Sequence, residues 1–177
     1  MSATMPSGLL LVAAGLLVAA GVPKVVRPHD TARALRRAGL LPAGRAGPQL
    51  LRGLAVSEIV VGAGALSVGG RWFAAGVGMS YVAFGVFIAT ALGRGWALSS
   101  CGCFGRADTP PTVAHVIVDL VLAAGAGAAA LASGPAPLVV VARRPGWGSA
   151  LVTMAVVAGG LAYLVLARLP RLQAARA

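Results

Sequence analysis

Long apolar stretches alternate with short polar or basic connections along the chain. Five of the stretches have the length of about 17 to 25 residues that an α-helix needs to cross the hydrocarbon core of a bilayer. They occupy residues 7–26, 53–70, 72–93, 112–132 and 148–167. The pattern predicts an all-α membrane protein: a four-helix transmembrane bundle, followed by an additional C-terminal transmembrane helix.

The division into domains follows the same pattern. We expect one four-helix transmembrane domain over residues 7–132. The segment 133–147 is rich in Pro and Gly, so residues 133–177 are expected to form a linker, the additional helix and a basic tail. The first stretch is interpreted as a retained span and not as a cleaved signal, because no Lys or Arg precedes it and Lys24 lies within its end.

The composition changes this picture by excluding a soluble protein. Hydrophobic residues make up 58 % of the chain and charged residues 11 %, whereas soluble domains contain roughly half and about a quarter. The net charge of +11 comes from basic residues that lie between apolar stretches. This placement excludes a nucleic-acid-binding domain and favours contact with lipid head groups, as in a multi-pass protein of the cytoplasmic membrane.

The distribution of basic residues also predicts an orientation. With the amino terminus outside, twelve of the fifteen Lys and Arg residues fall in inside loops and the tail, as the positive-inside rule favours. This orientation places residues 94–111 in the cytoplasm.

The most basic connection, residues 27–52, contains the sequence TARALRRAGL, which predicts a short helix on the membrane surface. Asp30 or Thr31 is the expected cap, and Gly39 is expected to end the helix, with Leu35 facing lipid. Docking of an acidic partner is the alternative interpretation.

Glycines number 25 in all, and small residues let transmembrane helices approach closely. Three pairs within the predicted spans are candidates for such contacts: Gly62 with Gly64, Gly76 with Gly78, and Gly125 with Gly127. Apolar filler without a packing role is the alternative.

The two cysteines of the chain, Cys101 and Cys103, lie in a loop of sequence SSCGCFG. A disulfide between residues two apart closes a strained ring, and strained disulfides are more easily reduced. Gly102 and Gly105 allow the backbone conformations that such a ring needs. The spacing therefore favours a redox-active dithiol that takes part in thiol–disulfide exchange.

Two further features of this loop favour a thiolate. Thr109 is the expected cap of the next helix, with Pro110 at its first position, and the helix dipole together with Arg106 stabilises negative charge nearby. A Cu(I) site on two thiolates and purely structural cysteines are the alternatives. A zinc site is not predicted, because zinc needs four ligands and only His29 and His115 offer comparable further donors.

Ionisable residues inside predicted spans are costly and are therefore candidates for function. Glu58 lies in the second span, with Lys24 or Arg52 as its expected partner. His115 and Asp119 lie four residues apart and share one face of the fourth span. Asp119 would hold the imidazole in one tautomer and His115 would serve the cysteines as a base, while a mutually satisfied polar pair is the alternative.

Several of these elements together resemble the MauE branch of the DoxX-like membrane proteins. The matching pieces are Pro23-Lys24, Leu40-Leu41-Pro42, Glu58 with Gly62, Arg94-Gly95, and the sequence CGCFG from Cys101 to Gly105, which is the most specific. The resemblance covers about residues 8–132. It implies a DoxX-like four-helix bundle in the cytoplasmic membrane. MauE is linked to methylamine utilisation, where it is thought to assist maturation of the disulfide-rich small subunit of methylamine dehydrogenase beside a thioredoxin-like partner. The resemblance implies a redox-associated role for this chain and does not extend to that substrate.

The predicted function is a thiol–disulfide relay that assists disulfide formation or maturation of a client protein. The residues expected in catalysis are Cys101, Cys103, Arg106, His115 and Asp119, and those expected in structural or partner contacts are Lys24, Glu58, Gly102, Phe104 and Gly105. No cofactor is evident, and a quinone pocket around Phe104 and Trp96 is an option that the sequence does not indicate. A non-enzymatic scaffold or chaperone and a small copper carrier are the alternatives.

The family resemblance and the distribution of basic residues predict opposite sides of the membrane for the cysteines. Disulfides form and persist on the oxidising, outer side of the membrane, so the resemblance implies that the cysteines face outward. The distribution of basic residues implies the cytoplasm, and the sequence leaves the side open.

Overall fold

The computed structural model describes residues 4–37, 39, 41, 46–96, 112–143 and 145–174. In these ranges the chain forms helices and no strands. The helices are α1 (Thr4–Val26), α2 (Pro28–Arg37), α3 (Ala46–Ser67), α4 (Arg71–Gly93), α5 (Val113–Ala132), α6 (Pro137–Arg143) and α7 (Pro145–Ala174). The predicted all-α fold is confirmed.

Four of these helices are long and apolar enough to cross a membrane: the Ser7–Val26 part of α1, and α3, α4 and α5. They agree with the first four predicted spans to within one residue, except at both ends of the second. Residue 53 was the predicted beginning, but α3 starts at Ala46, because Pro48 lies in the first turn, where a missing N–H breaks no helical hydrogen bond. The helix ends at Ser67, and Gly69 and Gly70 then adopt positive φ angles of 74° and 82°.

Glycine contacts show that neighbouring spans run antiparallel. A methyl group added at Gly62 of α3 would lie 2.9 Å from the carbonyl oxygen of Ala14, and one at Gly21 of α1 would lie 3.0 Å from that of Ala55. Higher residue numbers on α1 contact lower residue numbers on α3, so the two helices point in opposite directions. An added methyl at Gly125 of α5 would come within 2.8 Å of Leu9 Cβ, so α5 also packs closely on α1.

The predicted glycine pairs are confirmed only in part. Gly62, Gly64, Gly76 and Gly125 face close neighbours on an adjacent helix, and Gly78 makes ordinary van der Waals contact with α5. Gly127 faces open space, because it lies on a different side of α5 from Gly125.

The antiparallel order brings two connections to the same end of the bundle. This end, called the loop end below, holds the C-termini of α1 and α4 and the N-termini of α3 and α5. The basic connection therefore starts and ends there, and so do Trp96 and Thr112, the described flanks of residues 97–111. Between the two ends lies an apolar core in which Leu17, Val77 and Ile88 are fully buried.

The predicted surface helix is present as α2, but its expected cap is wrong. The helix begins at Pro28, whose fixed φ and missing N–H suit a first helical position, so Thr31 lies inside it. Gly39 ends the element as predicted, with a φ of 73° and its N–H donating to the carbonyl of Arg36 at 2.9 Å. Leu35 lines a cavity between helices and does not simply face lipid.

The C-terminal region contains a further helix, α7, that packs beside α1. An added methyl at Gly159 would lie 3.6 Å from Leu16 Cδ2. The apolar part of α7, Gly148–Leu161, is shorter than the four spans. A fifth crossing of the membrane therefore stays a prediction.

Candidate functional site

A buried ion pair joins α1 to α3 near the loop end. The Lys24 Nζ atom lies 3.0 Å from Glu58 Oε1 and 2.8 Å from Glu58 Oε2, and only 2 % of Glu58 is exposed. Lys24 occupies the last turn of α1, and Glu58 shares the α1-facing side of α3 with Ala55 and Gly62. The ammonium also lies 4.7 Å from the centre of the Phe84 ring on α4, so three spans meet at this charge.

Arg52, the other partner expected for Glu58, makes a different contact. Its Nε donates to the backbone carbonyl of Val25 at 3.3 Å. Arg52 is exposed at the surface of the bundle, whereas Lys24 reaches the interior. Burial therefore selects Lys24 as the counter-ion.

His115 and Asp119 lie on the inner face of α5, as their spacing predicts. They are 2 % and 8 % exposed and share this face with Leu122 and Ala126. Asp119 packs against α4 where a glycine leaves room, since a methyl added at Gly85 would lie 3.5 Å from its Cβ.

The cap of α5 is Thr112, and the expectation that Thr109 caps this helix is wrong. The backbone N–H of Thr112 donates to His115 Nδ1 at 3.2 Å, and Thr112 Oγ1 lies 2.9 Å from the same nitrogen. The pair has the three-residue spacing of a capping box, with His in the place of Glu or Gln. That spacing was readable in the sequence, but a histidine is unusual in the role.

This cap also defines the state of the imidazole. Because a backbone N–H can only donate, Nδ1 must be the unprotonated nitrogen, and a neutral His115 carries its proton on Nε2. The hydrogen bond that fixes the tautomer comes from Thr112 and not from Asp119. In this tautomer Nε2 is the ring nitrogen that donates, and the lone pair of Nδ1 already accepts the bond from Thr112.

The cysteine loop lies outside the described residues, and so do all its predicted site residues: Cys101, Gly102, Cys103, Phe104, Gly105 and Arg106. Its two flanks are described. On the α4 side, Gly95 has a φ of 63° and the N–H of Trp96 donates to the carbonyl of Ala91 at 3.0 Å, which is the pattern of a Schellman helix end. On the α5 side stands Thr112. Both anchors belong to the loop end.

An aromatic contact connects the first anchor to the bundle. The rings of Trp96 and Phe87 are 6.3 Å apart between centres, and the Arg94 guanidinium lies 5.7 Å from the centre of the Trp96 ring. The chain therefore enters the cysteine loop from a position fixed against α4.

A cavity of about 480 Å³ lies between α2, α3 and α4, with the Lys24–Glu58 pair in its wall. Apolar side chains supply most of the remaining lining, among them Leu35, Phe84 and Phe87. Sequence reasoning missed this cavity, because its lining comes from four helices, with Lys24 contributed by α1, and no single stretch carries its pattern. Among the described residues no three His, Cys, Asp or Glu side chains come together as a metal site.

Comparison with known protein families identifies a family for most of the chain. The family model described as methylamine utilisation protein MauE matches residues 2–133, which include all four spans and the cysteine loop. Neither the curated proteins nor the solved structures contain a significant match to the chain.

Proposed function

The chain belongs to the MauE family of multi-pass membrane proteins, and we propose that it is a thiol–disulfide relay that forms disulfides in a client protein. In the first step a client thiolate attacks the Cys101–Cys103 disulfide, forms a mixed disulfide and releases one cysteine of the relay. A second client thiolate then attacks the mixed disulfide and releases the other cysteine. The client gains a disulfide, and two electrons and two protons pass to the cysteine pair.

A partner protein is one oxidant that completes the cycle, by the same chemistry in reverse. The reduced cysteine pair attacks the disulfide of a thioredoxin-like protein and is oxidised again, while that protein becomes a dithiol. The client is an exported protein with several disulfides. Methylamine dehydrogenase is one client of this class, and the cysteine chemistry itself does not restrict the relay to it.

The observation that carries the proposal is the hydrogen bond from Thr112 to His115 at the junction of the cysteine loop and α5. Since Nδ1 is occupied by this bond, the Nε2–H is the donor that remains for a thiolate. His115 and Arg106 would stabilise the thiolate that leaves in each exchange step, with Asp119 as a positioning residue one turn further along α5. A buried histidine at the described end of the segment that carries the cysteine pair supports a role in exchange.

The proposal requires the cysteine loop to face the oxidising side of the membrane, contrary to the distribution of basic residues. The test is labelling of intact cells with a membrane-impermeant maleimide, before and after mild reduction, with adducts counted by mass. Labelling of intact cells only after reduction is the expected result. Labelling that needs permeabilisation but no reductant would overturn the proposal in favour of a cytoplasmic dithiol.

Single serine variants distinguish the relay from the alternative functions. Cys101→Ser or Cys103→Ser should abolish client oxidation, and the remaining cysteine should attack the disulfide of the oxidised thioredoxin-like partner and stay joined to it in a stable mixed disulfide, visible on a non-reducing gel. A scaffold or chaperone would tolerate both substitutions. A copper carrier would lose Cu(I) binding without a change in the redox state of the client.

A further inference from the structure

We propose that the cavity between α2, α3 and α4 binds the head group of a lipid-soluble quinone and that this quinone is a terminal acceptor for electrons from the cysteine pair. The binding site stands on the geometry of the cavity alone. The electron-accepting role rests on the proposed relay.

The size and the opening of the cavity fit a ligand that enters from the membrane. Its volume of about 480 Å³ falls within the range of roughly 300 to 1,000 Å³ that small-molecule sites have. Leu54 on α3 and Met79 on α4 line it and are 52 % and 73 % exposed. Because both lie within membrane-spanning helices, the cavity opens sideways between α3 and α4 into the hydrocarbon region, which admits only lipid-soluble molecules.

The charges in the wall favour a neutral ligand. Lys24 and Glu58 neutralise each other at 2.8 Å, so an anionic head group would meet the Glu58 carboxylate and a cationic one the Lys24 ammonium. An ammonium has three N–H donors, and the bidentate contact with Glu58 uses two of them. The third suits a carbonyl oxygen.

Two hydroxyl groups in the wall complement this donor. Ser57 donates to the carbonyl of Leu54 at 2.7 Å, and Ser80 donates to that of Gly76 at 2.9 Å. With their protons used inside their own helices, both oxygens are acceptors toward the cavity. Such a wall accommodates a carbonyl when the ligand is oxidised and hydroxyl groups when it is reduced, and the Phe84 and Phe87 rings provide flat apolar surface for a planar ring.

An aromatic contact links the cavity to Trp96, the described residue that precedes the cysteine loop. Phe87 lines the cavity, and its ring packs on Trp96, after which the chain enters residues 97–111. In the proposed step the two S–H bonds of Cys101 and Cys103 break and one S–S bond forms. Two electrons and two protons pass to the two carbonyl oxygens of the quinone, which becomes a hydroquinone, and the disulfide consumed by the client is restored.

The test measures binding of a short-chain ubiquinone to the full chain in lipid nanodiscs. Ala83→Phe fills the cavity from α4, and Val82→Phe is the matched control, because Val82 is also exposed on α4 but is absent from the lining. We expect the Kd to rise by about ten-fold or more in Ala83→Phe and to stay unchanged in Val82→Phe. Equal Kd values in the two variants, or displacement of the quinone by a fatty acid at the same concentration, would overturn the site and indicate an acyl-chain groove.

A second variant separates this proposal from the relay. The double variant Cys101→Ser/Cys103→Ser should keep the Kd of the wild type and lose reduction of the quinone by added dithiol client. Quinone binding by the wild type without any quinone reduction would refute the acceptor role. Reduction of the quinone by the double variant would contradict the assignment of the cysteines as its electron source.

Discussion

Lys24 and Glu58 are 34 positions apart in the chain, yet the ammonium of one contacts both carboxylate oxygens of the other inside the bundle. Taking either charge out of water is expensive, and an ion pair in low dielectric offsets this cost only while both partners are present. The contact thus fixes the position of the end of α1 against the middle of α3 and forms one wall of the cavity.

Removing one member of this pair should destabilise the bundle strongly. We expect Lys24→Met or Glu58→Met alone to lower the free energy of unfolding by about 3–5 kcal/mol, because a buried charge loses its partner. The double variant Lys24→Met/Glu58→Met should recover much of the loss. Denaturation in detergent of the single and double variants measures the coupling.

The control for this experiment is Arg52→Gln. Arg52 is exposed and contacts a backbone carbonyl, so its replacement should change the stability by no more than about 0.5 kcal/mol. Additive losses in the double variant would show that Lys24 and Glu58 do not interact energetically.

Two glycines on α5 give a matched test of helix packing. Gly125→Ala places a methyl 2.8 Å from Leu9 Cβ, whereas a methyl at Gly127 meets nothing within 4 Å. We expect Gly125→Ala to cost about 1–3 kcal/mol through overpacking. Gly127→Ala should be neutral or stabilise by up to about 1 kcal/mol, because alanine is the better helix former. The midpoints of thermal unfolding in detergent measure the stability of both variants. A similar loss of stability in both would argue against the α1–α5 contact.

The cap of α5 should contribute both to the stability of the fold and to the rate of client oxidation. Thr112→Ala removes the hydroxyl 2.9 Å from His115 Nδ1 and should cost about 1 kcal/mol, whereas Thr112→Ser should keep the cap. His115→Phe should slow client oxidation by roughly a hundred-fold, since a positioned proton donor contributes at least that much. Single-turnover kinetics of the cysteine pair measure the rate, and an unchanged rate in a folded His115→Phe variant would exclude His115 from the exchange step.

The antiparallel bundle predicts which positions share a side of the membrane. His29 on α2 lies at the loop end, as do Trp96 and Thr112 on either side of the cysteine loop, whereas Ser133, at the C-terminal end of α5, lies at the opposite end. In a background without the native cysteines, His29→Cys should label from the same side as Cys101 and Cys103 do in the wild type, and Ser133→Cys from the other. Labelling of His29→Cys and Ser133→Cys from one side would contradict the order of the spans.

Much of the fold was predictable from the sequence because the apolar segments are surrounded by lipid and not by water. A long apolar segment in hydrocarbon must satisfy its backbone hydrogen bonds internally and therefore forms a helix, so the first four spans follow from hydropathy alone. Local backbone chemistry explains where the prediction failed. Pro28 begins α2 ahead of the polar residues expected to cap it, and Thr112 caps α5 through a histidine that no general rule assigns to that role.

The candidate site was predictable only as a set of residue types. Glu58 inside a predicted span and Lys24 at the end of another predicted a buried charge. The spacing of His115 and Asp119 predicted that both lie on one helical face. The sequence did not identify Lys24 over Arg52 as the partner of Glu58, because the choice depends on which side chain reaches the interior once α1 and α3 pack.

The sequence by itself therefore determined the helices, their membrane setting and the chemistry that each can carry, since these depend on hydrophobicity and local spacing. Only the tertiary structure decided that Lys24 contacts Glu58 beside the Phe84 ring and that α2, α3 and α4 leave a cavity there. It also decided that Phe87, in the wall of this cavity, contacts Trp96. These relationships depend on how closely helices distant in the chain approach and in which register, and that is set by small residues such as Gly21 and Gly62 at their crossings.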